Sequence, residues 1–189
     1  MRTGIVFLAV LLAGKAAAMG ENLKVRVEGD RLRLSGPVHF LVGRPLERLQ
    51  NGAVVSFVLQ LTVRSERAGR VLAHLTERFT FSYDLWEEKF AVTRQGTPAR
   101  SASNLSTATS EAWCLDNLSL AITQVPADRP FWIALEYESE ENKDSAKSDA
   151  STVIASMIDI FSRRSRDEQQ VRGTSESGPF RLDELRKKR

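Results

Sequence analysis

The chain has a single cysteine, Cys114, and only two histidines, His39 and His74, among its 189 residues. A lone thiol excludes an intramolecular disulfide, so the fold must be held by an apolar core. Two histidines outside any ligand-spaced motif leave zinc short of the three or four ligands it takes from protein. Glycine-rich phosphate loops, a G-x-S-x-G elbow and an H-E-x-x-H pair are all missing, so no signature directs the reading to a reaction. The longest apolar run near the start, Ile5 to Ala13, is shorter than the ~20 residues a spanning helix needs. No metal and no cofactor is implied.

What the chain does have is enough apolar material to fold: 42% of residues are hydrophobic and 27% charged, a balance suited to one soluble domain. The formal charge of +3 is unevenly spread. Between Arg163 and Arg189, nine basic residues face five acids, so the excess sits at a chain end and implies a solvated tail, not a nucleic-acid surface. Residues 1–18 carry Arg2, the apolar run and then Ala16, Ala17 and Ala18, the three regions of a signal peptide in order. Cleavage after Ala18 is expected, with the mature protein in the periplasm or secreted and without a transmembrane span.

Alternating apolar residues dominate the middle of the chain. Leu23, Val25 and Val27, a turn at Glu28-Gly29-Asp30, and Leu32 and Leu34 read as a hairpin. Pro45 opens a short helix with Leu46 and Leu49 facing inward and Asn51-Gly52 as its stop. Val55, Phe57, Leu59, Leu61 and Val63 then share one face of a strand, and Val71, Ala73, Leu75, Phe79, Phe81 and Tyr83 one face of the next. A strand at Lys89–Thr93 follows. Ser106 or Thr107 caps a helix to Asn117, with Glu111 in its first turn and Ala108, Ala112, Leu115 and Leu118 as its apolar stripe. Leu118, Leu120 and Ile122 alternate again, and Phe131 to Tyr137 is the final strand.

The expected architecture is therefore α+β: an antiparallel β-sheet meander with short inserted helices and a C-terminal amphipathic helix. The sheet domain occupies 19–138 and an acidic linker 139–148. The amphipathic helix at 149–162, with Val153, Ile154, Met157, Ile158 and Phe161 on its stripe, packs on the domain, and 163–189 is a polar and basic tail.

The Pro45–Gln50 helix, its Asn51-Gly52 stop, the Val54–Val63 strand and the segment from Phe79 through Tyr83-Asp84 and Trp86 to Phe90 together resemble an exported bacterial protein family of unknown function. The resemblance covers about residues 37–137. It implies an envelope location and lends no catalytic residues.

Two functions of different class follow. In the first, the protein is a non-enzymatic interaction or assembly module that meets an envelope partner through a sheet edge, Trp86, or the stripe Val153, Ile154, Met157, Ile158 and Phe161. In the second it is a small metal-dependent or acid/base hydrolase in which Asp84 and Glu87 act with a histidine, His74 being the candidate. Against the second, Asp at a strand connection ordinarily caps its own turn, and a calcium loop needs more oxygen ligands at fixed spacing. Cys114 reads as a small buried hydrophobe before it reads as a nucleophile. Lone histidines outside motifs favour the interaction module.

Overall fold

Side chains point alternately to the two faces of an extended chain, so the long apolar alternations must each bury one face. The computed structural model describes residues 23–140 and 171–187 and shows how this is done. The N-terminal hairpin is β1 (Lys24–Glu28) and β2 (Arg31–Ser35). Its two-residue loop places Gly29 at φ +65°, a left-handed conformation that glycine adopts without a side-chain clash. After helix α1 (Gly43–Gln50) come β3 (Val55–Arg64), β4 (Val71–Asp84), β5 (Lys89–Arg94) and β6 (Arg100–Leu105). Helix α2 (Thr107–Asn117), β7 (Ser119–Ala121), β8 (Phe131–Glu140), β9 (Arg172–Phe180) and a short helix α3 (Leu182–Lys187) complete the described chain.

The strands form two antiparallel sheets, a small one in the order β1-β2-β7 and a large one in the order β6-β5-β4-β3-β8-β9. One continuous core joins them. Leu32 and Leu34 from β2 and Leu120 from β7 meet Phe57, Leu59 and Leu61 from β3, Phe79 and Phe81 from β4, and Leu135 from β8. Phe40, Phe57 and Phe81 form its aromatic centre, with ring centroids 5.0 to 5.9 Å apart in tilted or edge-to-face pairs. The opposite face of the large sheet is a polar ladder. Ser56 meets Thr80, Thr62 meets His74, Arg78 pairs with Glu140, and Arg172 pairs with Glu138.

The fold is thus β-rich and antiparallel with a few short helices, and it departs from the expected meander in five respects. The N-terminal hairpin and the Leu120 strand form a sheet of their own, because their short apolar faces cover the large sheet instead of extending it. Phe131–Tyr137 is not the last strand. It runs back beside β3 and is itself flanked by β9, which arises from residues read as a polar linker and tail. Strand β9 has no apolar alternation to announce it, since it is an edge strand held by backbone hydrogen bonds to β8. The tail also ends in α3, whose Leu182 is buried in the core. Ser139 and Glu140, assigned to the acidic linker, belong to β8. The polar β6, Arg-Ser-Ala-Ser-Asn-Leu, is a further strand beyond those expected and, like β9, carries no apolar alternation.

Helix α2 is where expected, but rotated. Ser106 caps it in a reciprocal box with Thr109, each side chain accepting the other's backbone N–H. Ala108 and Ala112 face solvent, while Ser110, Glu111, Cys114, Leu115 and Asn117 face the core. Glu111 lies in the second turn, not the first, and it is buried. The signal-peptide segment 1–18 and the amphipathic segment 149–162 with Val153, Ile154, Met157, Ile158 and Phe161 lie outside the described residues.

Candidate functional site

The carboxylates Asp84 and Glu87 belong to the connection between β4 and β5. Asp84 pairs with Lys89, leaving Leu85–Glu88 as the loop. Asp84 Oδ1 accepts the backbone N–H groups of Trp86 at 2.9 Å and Glu87 at 3.1 Å. Those two bonds, from Glu87 and Trp86, hold the Asp84 carboxyl below its ordinary pKa. Asp84 is therefore a turn cap that shapes the loop.

His74 lies ten residues earlier on the same strand, about 33 Å away at ~3.3 Å per residue. It bonds Thr62 at 3.3 Å and Thr76 at 2.9 Å in the polar ladder. Asp84 and His74 thus cannot act on one substrate, which corrects the grouping of Asp84, Glu87 and His74 in one acid/base site. The tryptophans are likewise dispersed: Trp86 is 95% exposed on the loop, Trp113 packs edge-on to Phe79, and Trp132 lies at the opposite end of the large sheet.

The histidine that does meet a carboxylate is His39, whose Nδ1 is 3.6 Å from Glu111 Oε2. Glu111 Oε1 accepts the backbone N–H groups of Phe40 at 2.7 Å and Leu41 at 2.8 Å, both buried. Desolvation nevertheless dominates and raises the Glu111 pKa, against the lowering pull of Leu41, Phe40 and His39. One turn along the helix, burial pushes the Cys114 thiol far up as well, with the Glu111 charge adding to it. A thiol held protonated in this way is no nucleophile. Glu111 instead ties the chain entering α1 to helix α2.

A cavity of about 1030 Å³ lies at the other end of the large sheet, where the β3–β4 turn and the β7–β8 loop face each other. Arg67 and Arg70 come from the turn, Arg129 from the loop, and Val71, Leu72, Pro126, Pro130 and Trp132 supply apolar walls. Glu66 is the only acid among the described lining residues. Arg67 reaches Glu176 on β9 at 3.9 Å, both side chains largely exposed, an ion pair of little strength. Among the described residues neither Arg70 nor Arg129 has an ion-pair partner.

Trp132 is seated by a neighbouring glycine. A β-carbon on Gly178 of β9 would lie 2.8 Å from Trp132 Cδ1 and 3.1 Å from the Phe131 carbonyl, and its φ of +147° also disfavours any side chain. Guanidinium groups bind carboxylate or phosphate oxygens in bidentate fashion, and proline and indole walls accept apolar groups beside them. The cleft is thus suited to an anionic segment that also carries apolar side chains.

Nothing in the sequence distinguishes the cleft arginines from other surface arginines. In Ser65–Gly69 and Pro126–Pro130 the sequence signals only turns, and nothing local says that two turns some sixty residues apart converge. Comparison with protein-family models, with curated proteins and with solved structures yields no match to this chain. Among the described residues no three His, Cys, Asp or Glu side chains gather as a metal would require, and no helix is long and apolar enough to cross a membrane.

Proposed function

We propose that the chain is an exported bacterial envelope protein that acts as a non-enzymatic interaction module, gripping an acidic partner segment in its arginine cleft. The observation that carries this reading is the excess of guanidinium charge around Trp132 in a cavity of about 1030 Å³, large enough to take several side chains. Interfaces draw much of their energy from arginine and tryptophan anchors in partly desolvated pockets, and the cleft offers both. The signal-like residues 1–18 and the resemblance of residues 37–137 to an exported family support the compartment.

A fluorescence titration with a short glutamate-rich peptide carrying one apolar residue tests the cleft. Replacing Arg70 and Arg129 together by Ala should weaken binding by roughly tenfold or more, since each charge-assisted hydrogen bond contributes about 1.5–3 kcal/mol. Affinity unchanged in the double variant would overturn the assignment. Intact-mass measurement on protein from the envelope fraction should give a chain beginning at Met19, and a cytosolic product retaining Met1 would overturn the export reading.

A further inference from the structure

We propose that the acidic partner is a second copy of this chain, with the β4–β5 loop of one molecule seated in the arginine cleft of the next. The inference rests on the reading of the cleft given above and adds the identity of its occupant. The loop is the chemical complement of the cleft. It presents Trp86 at 95% and Leu85 at 58% exposure, the two most exposed large apolar side chains among the described residues, flanked by Glu87 and Glu88. The cleft presents Arg67, Arg70 and Arg129 around apolar walls. A tryptophan held almost wholly in water at a hairpin tip gives up apolar contact that a pocket would restore. Its neighbour Asp84 caps the loop through two backbone hydrogen bonds, so the knob is shaped before it binds and loses little freedom on docking.

The placement of the two surfaces determines the kind of assembly. Val71 at the cleft and Asp84 at the loop are the two ends of β4, about 43 Å apart at ~3.3 Å per residue. A loop cannot reach the cleft of its own molecule across that length of rigid strand. The contacting patches are different, so one contact leaves a free loop on one molecule and a free cleft on the other, which either propagate head to tail or close on each other as a reciprocal two-fold dimer. A knob of two apolar side chains and two carboxylates makes a small interface, below about 1,200 Å², hence weak and concentration dependent.

Sedimentation equilibrium on the chain as recovered from cells, across a concentration series, tests this. The weight-average mass should climb with concentration to that of a dimer or beyond, and fall as salt screens the charges. Trp86→Ala, Glu87→Arg with Glu88→Arg, and Arg70→Glu with Arg129→Glu should each weaken association by about tenfold or more. All five side chains are exposed, so the variants keep the fold, which circular dichroism checks. A mixture of the Trp86→Ala chain with the Arg70→Glu, Arg129→Glu chain retains one intact loop and one intact cleft per pair, while the altered loop still carries Glu87 and Glu88 against the now acidic cleft, and it should stop at a one-to-one dimer. A wild-type chain that stays monomeric, or a mixture that fails to pair or grows past the dimer, would overturn the proposal. The glutamate-rich peptide separates the two readings: a monomeric chain that still binds it through Arg70 and Arg129 keeps the cleft and rejects self-association, whereas loss of both rejects both.

Discussion

At the residue scale, Glu111 is the least expected feature of the molecule, a carboxylate only 4% exposed on a helix face otherwise made of Ser110, Cys114, Leu115 and Asn117. It is retained because it satisfies two buried N–H groups, those of Phe40 and Leu41, that no strand or helix would otherwise pair. Ionising it inside the fold costs more than in the unfolded chain, so its pKa rises from the ordinary 4.5 on folding. The stability this group contributes is then complete below the unfolded value and is lost as pH rises through the folded one. Glu111→Gln, which keeps an acceptor oxygen and removes the ionisation, should therefore flatten the pH dependence. Melting temperatures of the two proteins should diverge as pH rises above 4.5 and then run parallel. Glu111→Ala leaves both N–H groups unpaired and should cost about 2–4 kcal/mol in urea unfolding, at ~1–3 kcal/mol for each orphaned donor.

Among the elements, β9 shows how an edge strand with little apolar content is kept in place. Across from it on β8, Tyr137 pairs directly with Gly173, and Trp132 packs over Gly178, so each aromatic ring covers a position with no side chain of its own. The arrangement works only with glycine. A β-carbon at Gly178 would collide with the Trp132 ring and would occupy a left-handed backbone conformation. Gly178→Ala should thus destabilise the protein by about 1–3 kcal/mol and weaken peptide binding in the cleft whose wall Trp132 forms. Denaturant melts and the fluorescence titration measure the two effects separately. Substitution at Gly29, in a solvent-facing turn with nothing within 4 Å, should leave the cleft's affinity unchanged.

Over the whole molecule, the described residues after 170 are part of the fold. Strand β9 covers the edge of β8 along most of its length, α3 packs against β1, and Leu182 enters the core. Ser177 further bonds the Leu23 carbonyl, joining the C-terminal strand to the beginning of the small sheet. Truncation after Asn142 should accordingly expose the β8 edge, open the core beneath Leu182 and abolish a single cooperative unfolding transition, with aggregation through the freed edge. A truncated chain that melts like the full one would show that β9 and α3 contribute nothing to the core. Within the core, Phe57→Ala should cost roughly 3–5 kcal/mol, because the ring is fully buried against Phe40 and Phe81.

Local pattern alone determined much of this protein. The hairpin with its Gly29 turn, the Pro45 helix and its stop, the two long strands with Phe57 and Phe81 facing inward, and the Ser106 cap were all legible, because hydrophobic periodicity and turn chemistry are properties of neighbouring residues. Tertiary structure decided the rest. Polar edge strands such as β6 and β9 take their stability from a partner's backbone and leave no apolar signal, and α2 turns Glu111 inward to the buried N–H groups of Phe40 and Leu41 on a distant segment. The cleft is of the same kind. Arg70 and Arg129 line one cleft only because β3 and β4 turn back at one end of the sheet where β8 begins, and chain contacts between remote segments lie beyond what local sequence encodes.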